Sequence, residues 1–158
     1  MRRLLAVLAL VIAGFTTTSV AGAATSTSTT LVAVLSPVAG CGSGRGVAIV
    51  TVTEDGTVEY RLIVANLENV TAAHIHRSTG DVSTAGAVAF LYEATSPVDV
   101  HDKVVLASGT ITATVEPDLS VEDLAAELQG GTSFYVNVHT TQCPQGAIAG
   151  DLLLKGDI

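Results

Sequence analysis

From residue 31 to residue 154, apolar side chains recur mostly every second position, in short runs rich in valine, isoleucine and threonine. That period places successive side chains on opposite faces of an extended strand, and it excludes a helical bundle. The runs are "LVAVL" (31–35), "GVAIVTV" (46–52), "TVEYRLIV" (57–64), "TAAHIH" (71–76), "AVAFLY" (87–92), "VVLASGTITATV" (104–115), "TSFYVNV" (132–138) and "AIAGDLLL" (147–154). The turn "EDG" (54–56) joins two of them, an Asp-Gly signal that predicts a tight β-hairpin. Gly80, Gly86, Pro97, Gly130, Gly131 and Pro144-Gln145-Gly146 punctuate the others. One segment departs from the pattern. "SVEDLAAEL" (120–128) has Ser120 as N-cap, acids in its first turn, Leu124 and Leu128 one turn apart and Gly130 just past its end. It predicts a short helix. About eight strands, one helix near 120–128 and no long repeat predict an all-β fold, a single antiparallel Greek-key barrel or sandwich.

The start of the chain is different. Arg2 and Arg3 precede the apolar "LLAVLALVIAGF" (4–15), and Ala21-Gly22-Ala23 fits a small-x-small cleavage site. Residues 1–23 are therefore expected to be a secretory signal peptide, with 24–30 a loosely ordered Ser/Thr-rich lead-in and 31–155 the folded domain. The expected location is extracellular, or the space within an envelope, with no membrane span after the signal is removed. Removing Arg2 and Arg3 leaves five basic residues against fifteen acidic ones, a net charge of −10 with neutral histidines. Such a surface, without a basic stripe, argues against nucleic acid as a partner. Tryptophan is absent and aromatic residues are only 4% of the chain, which leaves little stacking surface for sugars or bases.

Cys41 and Cys143 are the two cysteines. In an oxidising compartment an even count reads as one disulfide. Closing a loop of about 100 residues is worth up to about 4–5 kcal/mol in the chain-entropy account. The alternative is a pair of free thiols acting as soft metal ligands.

Four histidines remain to be placed. His74 and His76 share one face of their strand, while Ala73 and Ile75 point the other way, toward the expected core. The histidines are thus expected on a solvent or rim face. In "FYVNVHT", Tyr135, Asn137 and His139 form the face opposite Phe134, Val136 and Val138. Three imidazoles around one point suit copper or zinc, but no spacing shows that His139 meets the other two. His101, between Asp99 and Asp102, reads as a solvated loop residue. No Gly-x-Ser-x-Gly elbow, phosphate loop or dinucleotide fingerprint occurs. The carboxylates at Glu54-Asp55, Asp99/Asp102 and Glu116/Asp118 read as solvated turn acids.

"GTVEYRLIVANLENVTAAHIH", "GAVAFLY" and "FYVNVHTTQCPQGAIAGDL" together resemble the chordin-type (CHRD) domain over roughly residues 30–154. The likeness implies a secreted binding or structural module whose partner is an extracellular protein or a metal ion. Alanines 147 and 149 stand where that family usually has glutamate and arginine, so any polar role of the arginine is lost. A weaker likeness is to copper–zinc superoxide dismutase, which also pairs a His-x-His strand with a later Val-x-His. It implies a superoxide-dismutase-like barrel with His74, His76 and His139 in positions similar to three copper ligands. The likeness does not carry the activity, because no histidine stands where that enzyme bridges its two metals and no arginine follows His139. The expected role is a binding module, with no catalytic residue assigned. The alternatives are a metal-dependent oxidoreductase and a metal-free protein-interaction domain.

Overall fold

The computed structural model describes residues 27–78 and 86–158. The signal peptide expected at 1–23 and the first part of the lead-in lie outside these residues. Among the described residues the elements are β1 (Thr29–Pro37), β2 (Arg45–Val52), β3 (Val58–Ala65), β4 (Leu67–Arg77), β5 (Ala87–Val100), β6 (Val104–Thr110), α1 (Val121–Gly130), β7 (Phe134–Thr140) and β8 (Ile148–Leu154). The strands form one antiparallel sheet in the order β5-β4-β7-β8-β1-β2-β3-β6. β6 returns past β4 and β5 to lie beside β3, and β8 lies beside β1, which is Greek-key connectivity.

The sheet curls into a nearly closed barrel. The end strand β5 is tied to the opposite side of the sheet where the Tyr60 hydroxyl of β3 donates to the Leu91 carbonyl at 2.8 Å and the Val115 amide, beyond β6, to the Val88 carbonyl at 2.8 Å. Alternation fills the interior: Leu31, Ala33 and Leu35 of β1, Ala48 and Val50 of β2, Leu62 and Val64 of β3, Ala73 and Ile75 of β4, and Val136 and Val138 of β7 are all buried. Each such valine or leucine contributes roughly 1.5–3 kcal/mol by leaving water.

Local chemistry sets the connections. The β2–β3 hairpin turns at Gly56, whose φ of 84° is open to glycine at little steric cost. β3 passes to β4 through Asn66 alone, at φ 55°, a left-handed conformation that asparagine tolerates better than most residues. β5 runs through Pro97 to Val100, although Pro97 is a punctuation signal in the sequence. It is the end strand of the sheet, and there a residue without an amide proton costs no ladder bond. β6 stops at Thr110, short of the expected residue 115.

Helix α1 begins as expected. Ser120 Oγ accepts from the Asp123 amide at 3.0 Å, and Asp123 Oδ2 accepts from the Ser120 amide at 3.3 Å, a reciprocal capping box. It runs further than expected: Gly130 is its last residue and Gly131, at φ 83°, is the cap. Arg77, at the end of β4, anchors it. Its guanidinium donates to both Glu127 oxygens, one at 3.0 Å, and to Glu116 Oε2 at 2.9 Å. These carboxylates hold the arginine above its ordinary pKa. The same guanidinium lies over the Phe134 ring, 5.5 Å from its centroid.

Candidate metal centre

β4 and β7 are ladder neighbours, with His74 opposite Asn137, His76 opposite Tyr135 and Ala72 opposite His139. Directly paired residues on one face hold their β-carbons about 4.5–5.5 Å apart, and diagonal ones remain within reach of long side chains. The pairing therefore gathers His74, His76 and His139 on the outward face of the barrel. Each of the three offers a ring nitrogen, and these atoms all lie within 4.8 Å of one another. His101 is exposed in the β5–β6 link and is not part of the group.

The outward face here is not a solvent face. His76 is 7% exposed, Asn137 2% and Tyr135 1%, so β7 is buried on both sides for most of its length. Over Asn137 and His139 the cover is the segment after β7. Residues 141–147 fold back over the strand: the Gly146 amide donates to the Cys143 carbonyl at 3.0 Å and the Ala147 amide to the Val138 carbonyl at 2.7 Å. The Cys143 amide donates to Thr140 Oγ1 at 3.1 Å. Cys143 is bonded to Cys41 with Cα atoms 6.0 Å apart, and this pins the turn to the β1–β2 loop. The thiols are thus not available as soft ligands. Gly146 sits at φ 125°, and a Cβ there would stand 3.0 Å from Asn137 Nδ2, so only glycine lets the turn close on that side chain.

Two carbonyls of this cover address the site. Pro144 O lies 2.9 Å from His139 Nδ1, and Gln145 O accepts from Asn137 Nδ2 at 3.3 Å. A carbonyl can only accept, so His139 carries its proton on Nδ1 and presents a lone pair at Nε2. That Nε2 lies 3.0 Å from His74 Nδ1. In the neutral pair His74 donates from Nδ1; an ion seated between the two nitrogens would displace that proton to Nε2, which is buried with no hydrogen bond among the described residues. Asn137 Oδ1 is in the same condition.

Aromatic rings wall the cluster. Phe90, opposite His74 on β5, meets its ring edge-on with centroids 4.6 Å apart. Tyr135 stacks on His76 at 4.9 Å and 15°. Burial disfavours the imidazolium and moves His74 down to about 4, helped by the nearby His139 and His76 rings. Burial likewise lowers His139, against the opposing pull of the Pro144 carbonyl. Both rings are therefore neutral at pH 7, the form that binds a metal.

The donor set fits a borderline cation. Two nitrogens about 2.0–2.1 Å from one ion are roughly 2.8–3.4 Å apart at tetragonal to tetrahedral angles. The His74–His139 separation of 3.0 Å falls in that range. A backbone carbonyl holding the remote nitrogen of a ligand histidine is the usual outer support of such sites. That His74 and His76 share a face, and that His139 stands on the polar face of its own strand, is legible in the sequence. Phe90, the Pro144 carbonyl and the clamp at Arg77 are not, since each depends on a pairing between distant segments.

The family model of the CHRD domain matches residues 16–152. No curated protein matches the chain, and no solved structure does.

Proposed function

The chain belongs to the CHRD domain family, and from that premise we propose that it is an exported binding module holding one copper or zinc ion through His74, His76 and His139. The family and the disulfide are consistent with an extracellular protein. Among the described residues no helix is long and apolar enough to cross a membrane.

The observation that carries the metal reading is the pair His74 Nδ1 and His139 Nε2, 3.0 Å apart. Behind it the Pro144 carbonyl fixes the His139 tautomer. His139 would bind through Nε2, its only free lone pair, and a bound ion would supply a Lewis-acidic cross-link between β4 and β7. Copper and zinc are favoured over calcium or magnesium because the set is all imidazole, with no carboxylate oxygen.

Calorimetric titration with Cu(II) and Zn(II) at pH 7 tests this. One equivalent should bind the unaltered chain, and His139→Ala or the pair His74→Ala/His76→Ala should weaken binding by at least about 100-fold, more than the 10–100-fold typical of losing an outer-shell support. Equal binding by all three proteins would refute it. Retained thermal stability with no binding by the unaltered chain would favour a metal-free interaction domain.

A further inference from the structure

On the far side of the barrel many of the outward residues of β1, β2, β3, β6 and β8 are aliphatic. Register joins them into two rows: Leu153, Val32 and Ile49 in one, and Val34, Val47, Ile63 and Val105 in the other. Val34 is 59% exposed, Leu153 45% and Val105 43%, so nothing in this molecule covers them. A continuous exposed apolar patch of this kind marks an interaction surface.

The charges around it are ordered along the strands. At one end stand Arg45 and Lys103, which share a shallow groove with Val34, Val47, Ile63 and Ala65. At the other end Glu59 points outward from β3, with Glu54 and Asp55 beyond it at the hairpin tip. Arg61 lies two residues from Glu59 on the same face. Arg45 pairs with Ala65 in the ladder and Glu59 with Thr51, so the ends are six residues, about 20 Å, apart. The face thus carries Arg45 and Lys103 at one end, Glu59 at the other, and a mainly aliphatic middle interrupted by Arg61 and Asp151.

A surface of that pattern complements itself. Two copies placed face to face about a two-fold axis running across the strands bring opposite ends together. Glu59 of one copy then lies over Ala65 of the other, between Arg45 on β2 and Lys103 beside β6. The axis passes near Leu62, the midpoint of Glu59 and Ala65, where Val47 lies over Ile49 of the other copy and Ile63 over the stem of Arg61. An axis along the strands would instead set like charges against each other.

We infer that this chain forms a two-fold homodimer through the outward face of β1, β2, β3 and β6, with Glu59 of each copy held between Arg45 and Lys103 of the other. The interface is isologous, so each charge cluster occurs twice. Four or five strands about 4.8 Å apart and about 20 Å long give a footprint of roughly 400–500 Å² per copy, below the roughly 800 Å² of a standard interface. An interface of that size belongs to a weak, reversible dimer. It does not depend on the metal reading and uses none of the histidines.

Sedimentation velocity of the purified chain from about 1 to 500 µM tests the inference, with dimer expected in the upper part of that range. Glu59→Lys alone, and Arg45→Glu/Lys103→Glu alone, should each raise the dissociation constant at least tenfold, about 1.4 kcal/mol. An equimolar mixture of the two variants should associate again, because both charge clusters are then opposite in sign; this also shows that both are folded. A chain monomeric at 500 µM overturns the inference. So does a dimer indifferent to the variants and to Val34→Glu, or a monomer that binds anionic vesicles through this face.

Discussion

The barrel has two outward faces built by the same alternation, and they end in opposite conditions. Over β4 and β7 the outward residues are mostly polar and aromatic, yet His76, Tyr135 and Asn137 are buried and His74 and His139 half-buried. Over β1, β2 and β3 they are mainly aliphatic, yet several stand in water. Strand period decides which residues share a face. It does not decide which face is covered. Over Asn137 and His139 coverage comes from the turn at 141–147, tied down by Cys41–Cys143 and by backbone bonds, which lies on one face and not the other. Polar groups under such a cover need partners, and Asn137 and His139 find them in its Gln145 and Pro144 carbonyls. Aliphatic groups without a cover need a second surface.

Removing the cover's anchor is the strongest way to break this contrast. Cys41→Ser/Cys143→Ser should cost up to about 4–5 kcal/mol for a loop of about 100 residues, lowering the melting temperature by roughly 10 °C or more. Scanning calorimetry reads the loss. Metal affinity should fall with it, since the Pro144 carbonyl is no longer held against His139. The association measured by sedimentation should not change.

A smaller effect is expected at the centre of the covered face. Asn137→Ala removes the bond to the Gln145 carbonyl at 3.3 Å and should cost about 1–2 kcal/mol in urea unfolding.

The histidines sharpen the contrast through pH. His74 is lowered from 6.5 to about 4, so the unfolded chain binds the proton first as pH falls. Stability from its neutral state is complete above about pH 6.5 and is lost progressively toward pH 4; the lowered His139 acts in the same direction. Melting temperature followed from pH 7 to 4 should fall more steeply for the unaltered chain than for His74→Gln. Parallel curves would show that burial of this ring does not contribute. The smallest effect belongs to the open face: Val34→Lys, at a side chain 59% exposed, should change stability by less than about 0.5 kcal/mol.

Much of this contrast is legible in the chain. Alternation places His74 and His76 opposite Ala73 and Ile75, and Tyr135, Asn137 and His139 opposite Phe134, Val136 and Val138. The hairpin at Gly56 and the capping box at Ser120 are local, and local chemistry specifies them. The meeting of His139 with His74 is not local: β5, β6 and α1 lie between their strands. Burial of the histidine face is illegible for the same reason, since it depends on where a turn pinned 102 residues away comes to rest. Pro97 misleads because its cost depends on strand position in the sheet, which no run of residues declares. The aliphatic outward face is visible as "VAIV" beside "LVAVL", but there it reads as core.

The pairing of β1 with β8 has a consequence for how the protein is made. A chain synthesised from its N-terminus has the β1–β2–β3 meander complete once Ala65 has emerged, and with it the aliphatic face. His74 and His76 follow soon after and wait for β7. His139, the cover, Cys143 and the strand that closes the free edge of β1 all follow β5, β6 and α1. The three-histidine cluster thus assembles only once β7 has emerged, and a stop before it leaves a sheet with two of the three histidines.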